Sequence, residues 1–226
     1  MSEWLAFFFD TLPLFWQGAL VTLELTAVGL GMGFILGLLA TLGRIYGGPW
    51  ARRISVGYIE LFRGTPLLVQ LFLLYYGLPG VGITLSRLTS AFLALGLNSG
   101  AYQAEYLRGS IQAIGEGQMM AGRAIGMSRL KTIWHIILPQ ALRLVIPSWT
   151  NEPVSLLKST AVAFLIAVPD LMTKAKSVAA RTYDPIGTYL AVAVVYLVMV
   201  FILDQFFKWV ERRVRIPGMD METRKA

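Results

Sequence analysis

Five predominantly apolar stretches alternate with polar connections along the chain. Residues 18–42 carry Glu24 as their only charge, and 54–78 carry Glu60 and Arg63 near their first end. Residues 88–113 are apolar through Gln103 and polar after it, 144–168 enclose Glu152 and Lys158, and 186–207 are uncharged until Asp204. A helix needs roughly 20 such residues to cross a bilayer. The pattern predicts an all-α polytopic membrane protein of about five transmembrane helices, with residues 1–226 as one transmembrane domain. Before the first stretch, Trp4, Phe7, Phe8, Phe9, Phe15 and Trp16 form an aromatic lead-in with no basic n-region or cleavage site. Pro13 is expected to break it, leaving an interfacial segment. The alternative is that it is the start of the first span.

Basic residues sort the connections by side. The first holds Arg44, Arg52 and Arg53. The third, 114–143, is flanked by Arg108 and holds Arg123, Arg129, Lys131 and Arg143. The tail holds Lys208, Arg212, Arg213, Arg215, Arg224 and Lys225. The second has only Arg87. This alternation puts the N-terminus outside and the C-terminus in the cytoplasm. The fourth connection opposes the rule, with Lys174, Lys176 and Arg181 offset by Asp170 and Asp184.

Charged residues make up 15% of the 226, against about 25% in soluble domains. A net charge of +7 does not indicate nucleic acid, because the cations cluster at the ends of apolar stretches. The absence of cysteine excludes disulfides, thiolate metal sites and cysteine catalysis, and His135 is the only histidine. No metal site is predicted. Gly29, Gly33 and Gly37 recur every four residues, one helix face on which a neighbour approaches closely. Gly31-Met32-Gly33 lacks the third glycine and the preceding strand of a dinucleotide fingerprint. No Walker A, HExxH or GxSxG pattern occurs, so a membrane enzyme is disfavoured.

The connection 114–143 has its own design. Gly115-Glu116-Gly117-Gln118 reads as a helix stop and a fresh start, with an acid where the helix dipole favours one. Met119, Met120, Ala121, Ala124 and Met127 then supply small or flexible apolar contacts. Gly126 closes this short helix. A second segment, Arg129–Ile137, returns through Leu138-Pro139. On pattern alone, a helical surface loop without a partner fits equally well.

Five motifs resolve that ambiguity by resemblance. Thr22–Thr26 (TLELT), Phe62–Pro79 (FRGTPLLVQLFLLYYGLP), Gly100–Ile111 (GAYQAEYLRGSI), the pair GQMMAGRAIGMS and ILPQALR, and Asn151–Ala161 (NEPVSLLKSTA) follow in order. Together they resemble the polar amino-acid family of ABC-transporter permeases, the histidine/glutamine/arginine-type importers. The likeness runs from Gly18 through the tail. It implies the type I importer fold, with cytoplasmic coupling helices in the EAA loop. It implies two permease subunits, identical or homologous, and two copies of a cytoplasmic ATPase that bind ATP and Mg. It also implies an extracytoplasmic amino-acid-binding protein and a bacterial inner-membrane location. This chain then needs no cofactor of its own and is not itself an enzyme. Coupling falls to Gln118, Met119, Met120, Ala121, Gly122, Arg123, Ala124, Gly126 and Met127. Two departures stand out. The family's Glu-Ala-Ala is Met120-Ala121-Gly122, and its Lys-Asp-Thr-Ser is Lys158-Ser159-Thr160-Ala161.

A charge inside a span costs ~2.5–3.5 kcal/mol or more, so each needs a partner or a job. Glu152 and Lys158 are six apart and on different faces. Pro147 and Pro153 free backbone groups beside Glu152, the kind of broken helix at which transporters bind polar groups. Glu152 is the first candidate for the charged or polar end of an amino acid, with a lean toward basic substrates. Lys158 is a candidate for a carboxylate or a structural partner. Asn98, Glu105 and Gln70 are the second line. The alternative for each is a tie between spans. Glu60–Arg63 and Glu105–Arg108, spaced i,i+3, read as structural pairs. The competing functions are an ATP-independent channel or secondary transporter for small polar solutes, and an assembly subunit.

Overall fold

The computed structural model describes residues 2–114 and 116–214, with side chains from Phe7 onward. Gly115, Trp4 as a side chain, and Arg215, Arg224 and Lys225 of the basic tail lie outside it. The described residues are helical, without strands. Two helices are long and apolar enough to cross a bilayer unaided, in Phe7–Tyr46 and Pro185–Val214. Two bent pairs qualify as broken spans, Pro49–Gly64 with Leu67–Val81 and Ile146–Ile166 with Leu171–Thr182.

Helix α1 runs unbroken over Ser2–Tyr46, through Pro13. The predicted break is corrected here. A proline inside a helix forfeits one hydrogen bond, whereas a full break in hydrocarbon strands several backbone groups. Phe7, Phe8, Leu14 and Phe15 of the lead-in pack with Val178 and Met199 rather than forming a separate segment.

The glycine stripe of α1 meets α4 (Arg87–Ile114), as its spacing predicts. A Cβ on Gly33 would lie 2.7 Å from Gln103 Nε2 and 3.0 Å from the Gly100 nitrogen. One on Gly37 would lie 2.9 Å from the Gly100 carbonyl oxygen. With the backbones this close, Thr41 Oγ1 donates to the Ala104 carbonyl at 2.8 Å.

The second predicted span is two helices. α2 (Pro49–Gly64) and α3 (Leu67–Phe72, continuing in π and 3-10 turns to Val81) meet at 106°. The loop helix α5 (Gly117–Ala124) and the short α6 (Arg129–Thr132) follow α4. A π turn, Ile133–Ile137, then joins α6 to α7 (Leu138–Leu144). Leu78 N–H bonds to the Leu73 carbonyl, and Leu138 N–H to that of Ile133. Both i→i+5 turns therefore sit immediately before a Leu-Pro, where the next residue has no N–H to give.

The fourth span is segmented too. It comprises α8 (Ile146–Trp149), α9 (Asn151–Ser159) and a 3-10 segment, Thr160–Ile166. Pro147 and Pro153 each sit in the first turn of a segment, where a missing N–H costs little. The chain then turns at Ala167, whose φ is +54°, into an additional helix, α10 (Leu171–Thr182). Asp170 caps α10 by accepting from the Thr173 N–H at 2.9 Å. Gly18 is required at this contact, because a Cβ there would lie 2.7 Å from Leu171 Cα. The last helix, α11, is Pro185–Val214.

α10 and α5 lie toward opposite ends of α1. α10 contacts the Gly18 region, while Ile45 and Tyr46 pack with Met119, Ile111 and Ile137 beside α5. Gly18 to Tyr46 spans about 42 Å of helix at 1.5 Å per residue.

Candidate functional site

Pro66 creates the bend between α2 and α3 and one wall of a cavity. It has no N–H, so the Phe62 carbonyl loses its i+4 donor. The Val69 N–H bonds to Pro66 instead of Thr65, so the Thr65 carbonyl is also left without a helical partner. Gln70, buried, replaces both donors: its Nε2 lies 2.9 Å from Phe62 O, 3.0 Å from Thr65 O and 2.9 Å from Thr65 Oγ1. Asn98 on α4 donates from Nδ2 to Phe62 O at 3.0 Å and to Gln70 Oε1 at 3.2 Å. These two amides hold the break open at a fixed angle. Gln70→Leu is expected to cost about 1–3 kcal/mol by stranding buried carbonyls, read as a lowered Tm of the purified protein.

The opened break, α4 and α9 wall an open-mouthed cavity of about 540 Å³. Its walls include Arg63, Asn98, Tyr102, Tyr106, Glu152 and Ser155. Glu152 is 5% exposed. It accepts from Ser99 Oγ at 2.6 Å, and the Tyr106 hydroxyl faces the same carboxylate. Behind Ser99 the network continues. Gln103 Nε2 donates to Ser99 Oγ at 3.0 Å, and Trp149 Nε1 donates to Gln103 Oε1 at 2.7 Å. Glu152 is thus oriented through α4 and α8, while still lining the cavity. Charge-assisted hydrogen bonds of this kind are short and directional.

The site brings together Glu152 and Asn98 of the predicted residues. Gln70 stands behind Asn98 as a brace. Glu105 is ion-paired with Arg44 and, at 2.6 Å, with Arg108, tying α1 to α4. Lys158 is exposed and does not line the cavity.

The expected Glu60–Arg63 pair does not form. Among the described residues, the ion pairs are Arg44–Glu105, Arg108–Glu105 and Lys208–Asp204. The Arg63 guanidinium lies 5.4 Å from the Tyr102 ring centroid instead, and lines the cavity. A cation–π contact with a tyrosine on another helix replaces the local i,i+3 pairing. Sequence reasoning also passed over Ser99, Gln103 and Trp149. The available signal was the i,i+4 spacing of two polar side chains in an otherwise apolar stretch.

The loop ends as predicted at Gly126, with φ +83°. The Gly126 N–H bonds to Arg123 O and the Met127 N–H to Gly122 O, both at 3.0 Å. That pair of bonds is the Schellman closure, which requires a left-handed residue. Gly122, the departure from Glu-Ala-Ala, is buried against Thr132 of α6, and a Cβ would lie 2.6 Å from Thr132 Cγ2. The glycine therefore lets α5 and α6 pack closely. Gln118, Met120, Ala121, Arg123 and Ala124 are exposed, while Met119 and Met127 are half-buried. Ile125 at 76% and Leu130 at 65% exposure add apolar surface beside Met120 at 65%.

Residues 29–216 match the model of the family described as binding-protein-dependent transport system inner membrane component. The chain belongs to this family. It is similar to the glutamine transport system permease protein GlnP of Escherichia coli (strain K12), at 35% identity over 95% of this chain and 98% of that protein. It is similar to the L-cystine transport system permease protein TcyB of Bacillus subtilis (strain 168), at 39% identity over 89% of this chain and 87% of that protein. A crystal structure of an amino acid ABC transporter with histidines contains a chain of the same fold. Its TM-score is 0.83 at 35% identity, covering 90% of this chain and 95% of that one. The fold is that of the type I ABC importer permeases, and the chain is a membrane protein.

Proposed function

We propose that this chain is the transmembrane permease subunit of an ABC importer for polar amino acids. The observation that carries the reading is the cavity at the broken second span. It is walled by a cation, Arg63, and an oriented anion, Glu152, with amide and hydroxyl groups between them. An α-amino acid is a zwitterion and offers a charge to each. The tyrosines Tyr102 and Tyr106 contribute apolar faces and polar tips to the same wall. Polar or basic side chains fit Glu152 best. In this reading Lys158 serves the interface with the second permease subunit or the pathway beyond the cavity. Glu105 acts as a structural tie.

The energy comes from a partner ATPase, two copies of which bind ATP and Mg and take up the loop helices. The exposed Met120, Ile125 and Leu130 suit a groove that must stay packed while it moves. A second permease subunit, identical or homologous, completes the pathway, and an extracytoplasmic binding protein delivers the amino acid. The N-terminus is extracytoplasmic and the C-terminus cytoplasmic. The spans lie within 18–42, 54–78, 88–113, 144–168 and 186–207, with the coupling loop over 114–143.

Gly126→Val tests the coupling assignment. A β-branched residue at positive φ costs about 1–2 kcal/mol locally and undoes the Schellman closure. The reconstituted complex is expected to lose most ATP-driven uptake while the chain still inserts and the ATPase still hydrolyses ATP. Full uptake in this variant would remove the loop from the coupling path, and a channel would be indifferent to the change.

A further inference from the structure

The hydrogen bonds behind Glu152 have a fixed direction. The Trp149 indole N–H can only donate, and it meets Gln103 Oε1 at 2.7 Å. On the other side of that amide the Leu30 carbonyl can only accept, and Gln103 Nε2 lies 3.2 Å from it. A flipped amide would set oxygen against oxygen at Leu30 and N–H against N–H at Trp149. Two groups of single role, one on α8 and one on α1, therefore settle which way the Gln103 amide faces.

The direction passes on to Glu152. Gln103 Nε2 also donates to Ser99 Oγ at 3.0 Å. With its oxygen accepting from Gln103, Ser99 gives its single hydrogen to Glu152 Oε1 at 2.6 Å. A proton on that carboxylate oxygen would crowd two hydrogens into one bond, so Oε1 stays an acceptor. Solvent does not compete, because Ser99 is 1% and Gln103 0% exposed. Gly33 makes room for the relay, since a Cβ there would lie 2.7 Å from Gln103 Nε2. The Trp149 ring packs edge-on with Phe207 of α11, their centroids 5.4 Å apart.

We propose that Trp149 and Gln103 are positioning residues, which hold Glu152 as a hydrogen-bond acceptor and so tune the cavity to the ammonium or guanidinium group of a basic amino acid. This rests on the reading of the cavity as an amino-acid site. A carboxylate locked to accept meets a donor cation without rearrangement, whereas a group that itself needs a donor finds none at Oε1. In Trp149→Phe the ring remains against Phe207 and only the indole N–H is lost. Gln103 Oε1 is then stranded in a buried site, and it draws the Ser99 hydrogen away from Glu152.

The test is equilibrium binding of labelled arginine and labelled glutamine to the complete transporter in mild detergent, with the binding protein left out so that the cavity alone is read. Trp149→Phe is expected to raise the Kd for arginine about tenfold and that for glutamine about twofold. Ser99→Ala removes the link between the relay and Glu152, and is expected to raise the arginine Kd by a similar factor. Because Trp149 acts through Ser99, the double variant is expected to bind arginine no more weakly than Ser99→Ala alone. An unchanged arginine Kd in Trp149→Phe, or factors that multiply in the double variant, overturns the proposal and leaves Trp149 as a packing tie. Equal losses for arginine and glutamine overturn it as well. A wild-type transporter that binds neither amino acid refutes the amino-acid reading of the cavity, and the proposal with it.

Discussion

Glu152→Gln is expected to raise the substrate concentration for half-maximal uptake by roughly 10- to 100-fold, the equivalent of the ~1.5–3 kcal/mol that a hydrogen bond to a charged group contributes. The geometry favours this variant over alanine. A glutamine oxygen still accepts from Ser99 Oγ, now 2.6 Å from Glu152 Oε1, so the network through Gln103 and Trp149 survives and only the charge is lost. Alanine would leave Ser99 without its acceptor and confound binding with packing. Folding and co-purification of the ATPase are expected to be normal for the glutamine variant. Uptake kinetics of a labelled basic and a labelled neutral amino acid read the effect, and the basic one is expected to suffer more. Wild-type uptake of both would return Glu152 to the role of a tie between α4 and α9.

Gly33→Leu is expected to prevent the chain from accumulating in the membrane as a folded subunit. The first side-chain carbon would already lie 2.7 Å from Gln103 Nε2 and 3.0 Å from Ser99 Oγ. The remaining carbons would enter the space between the α1 and α4 backbones. Neither backbone can yield separately, because Thr41 and Ala104 pin them at 2.8 Å. Overpacking in a tight core costs ~3 kcal/mol or more when the backbone must move. It would also displace the amide that orients Ser99 toward Glu152. Gly31→Leu, on the same helix but with open space at its Cβ, is the control and is expected to fold. Monodispersity and yield of the two variants in mild detergent compare them directly.

The glycines were the most legible part of the chain. Gly29, Gly33 and Gly37 imply a close helix contact because only backbone can occupy a space that a Cβ would fill. Gly126 implies a helix end because only a residue at ease with positive φ makes the Schellman closure. Both inferences are local, and both stand. The prolines were less legible. Pro13 is absorbed by a helix that hydrocarbon would penalise for breaking, whereas Pro66 produces a 106° bend. What separates them is the partner supply. Gln70 and Asn98 meet the carbonyls that Pro66 strands, and Asn98 lies 36 residues along the chain from the Phe62 carbonyl it meets, beyond the reach of any local rule.

Arg63 was misread for the same reason. Its spacing from Glu60 satisfies the helical pairing rule, but at that point along the chain Tyr102 of α4 offers an aromatic face beside a cavity. The cavity is a tertiary object, and its cation became visible only once the walls were assembled. Glu152, by contrast, was legible because a charge inside an apolar stretch demands an explanation wherever the walls lie. α10 escaped notice because its apolar residues, Leu171, Ala175 and Val178, are too few to stand out in a short polar connection.

The most direct measurement is uptake of a labelled polar amino acid into proteoliposomes. They would hold this chain, its partner permease where there is one, and the partner ATPase, with the binding protein outside. Accumulation that requires ATP inside the vesicles and both partner proteins is the predicted result. Equal uptake by this chain alone, without ATP or ATPase, would contradict it and establish an ATP-independent channel or transporter.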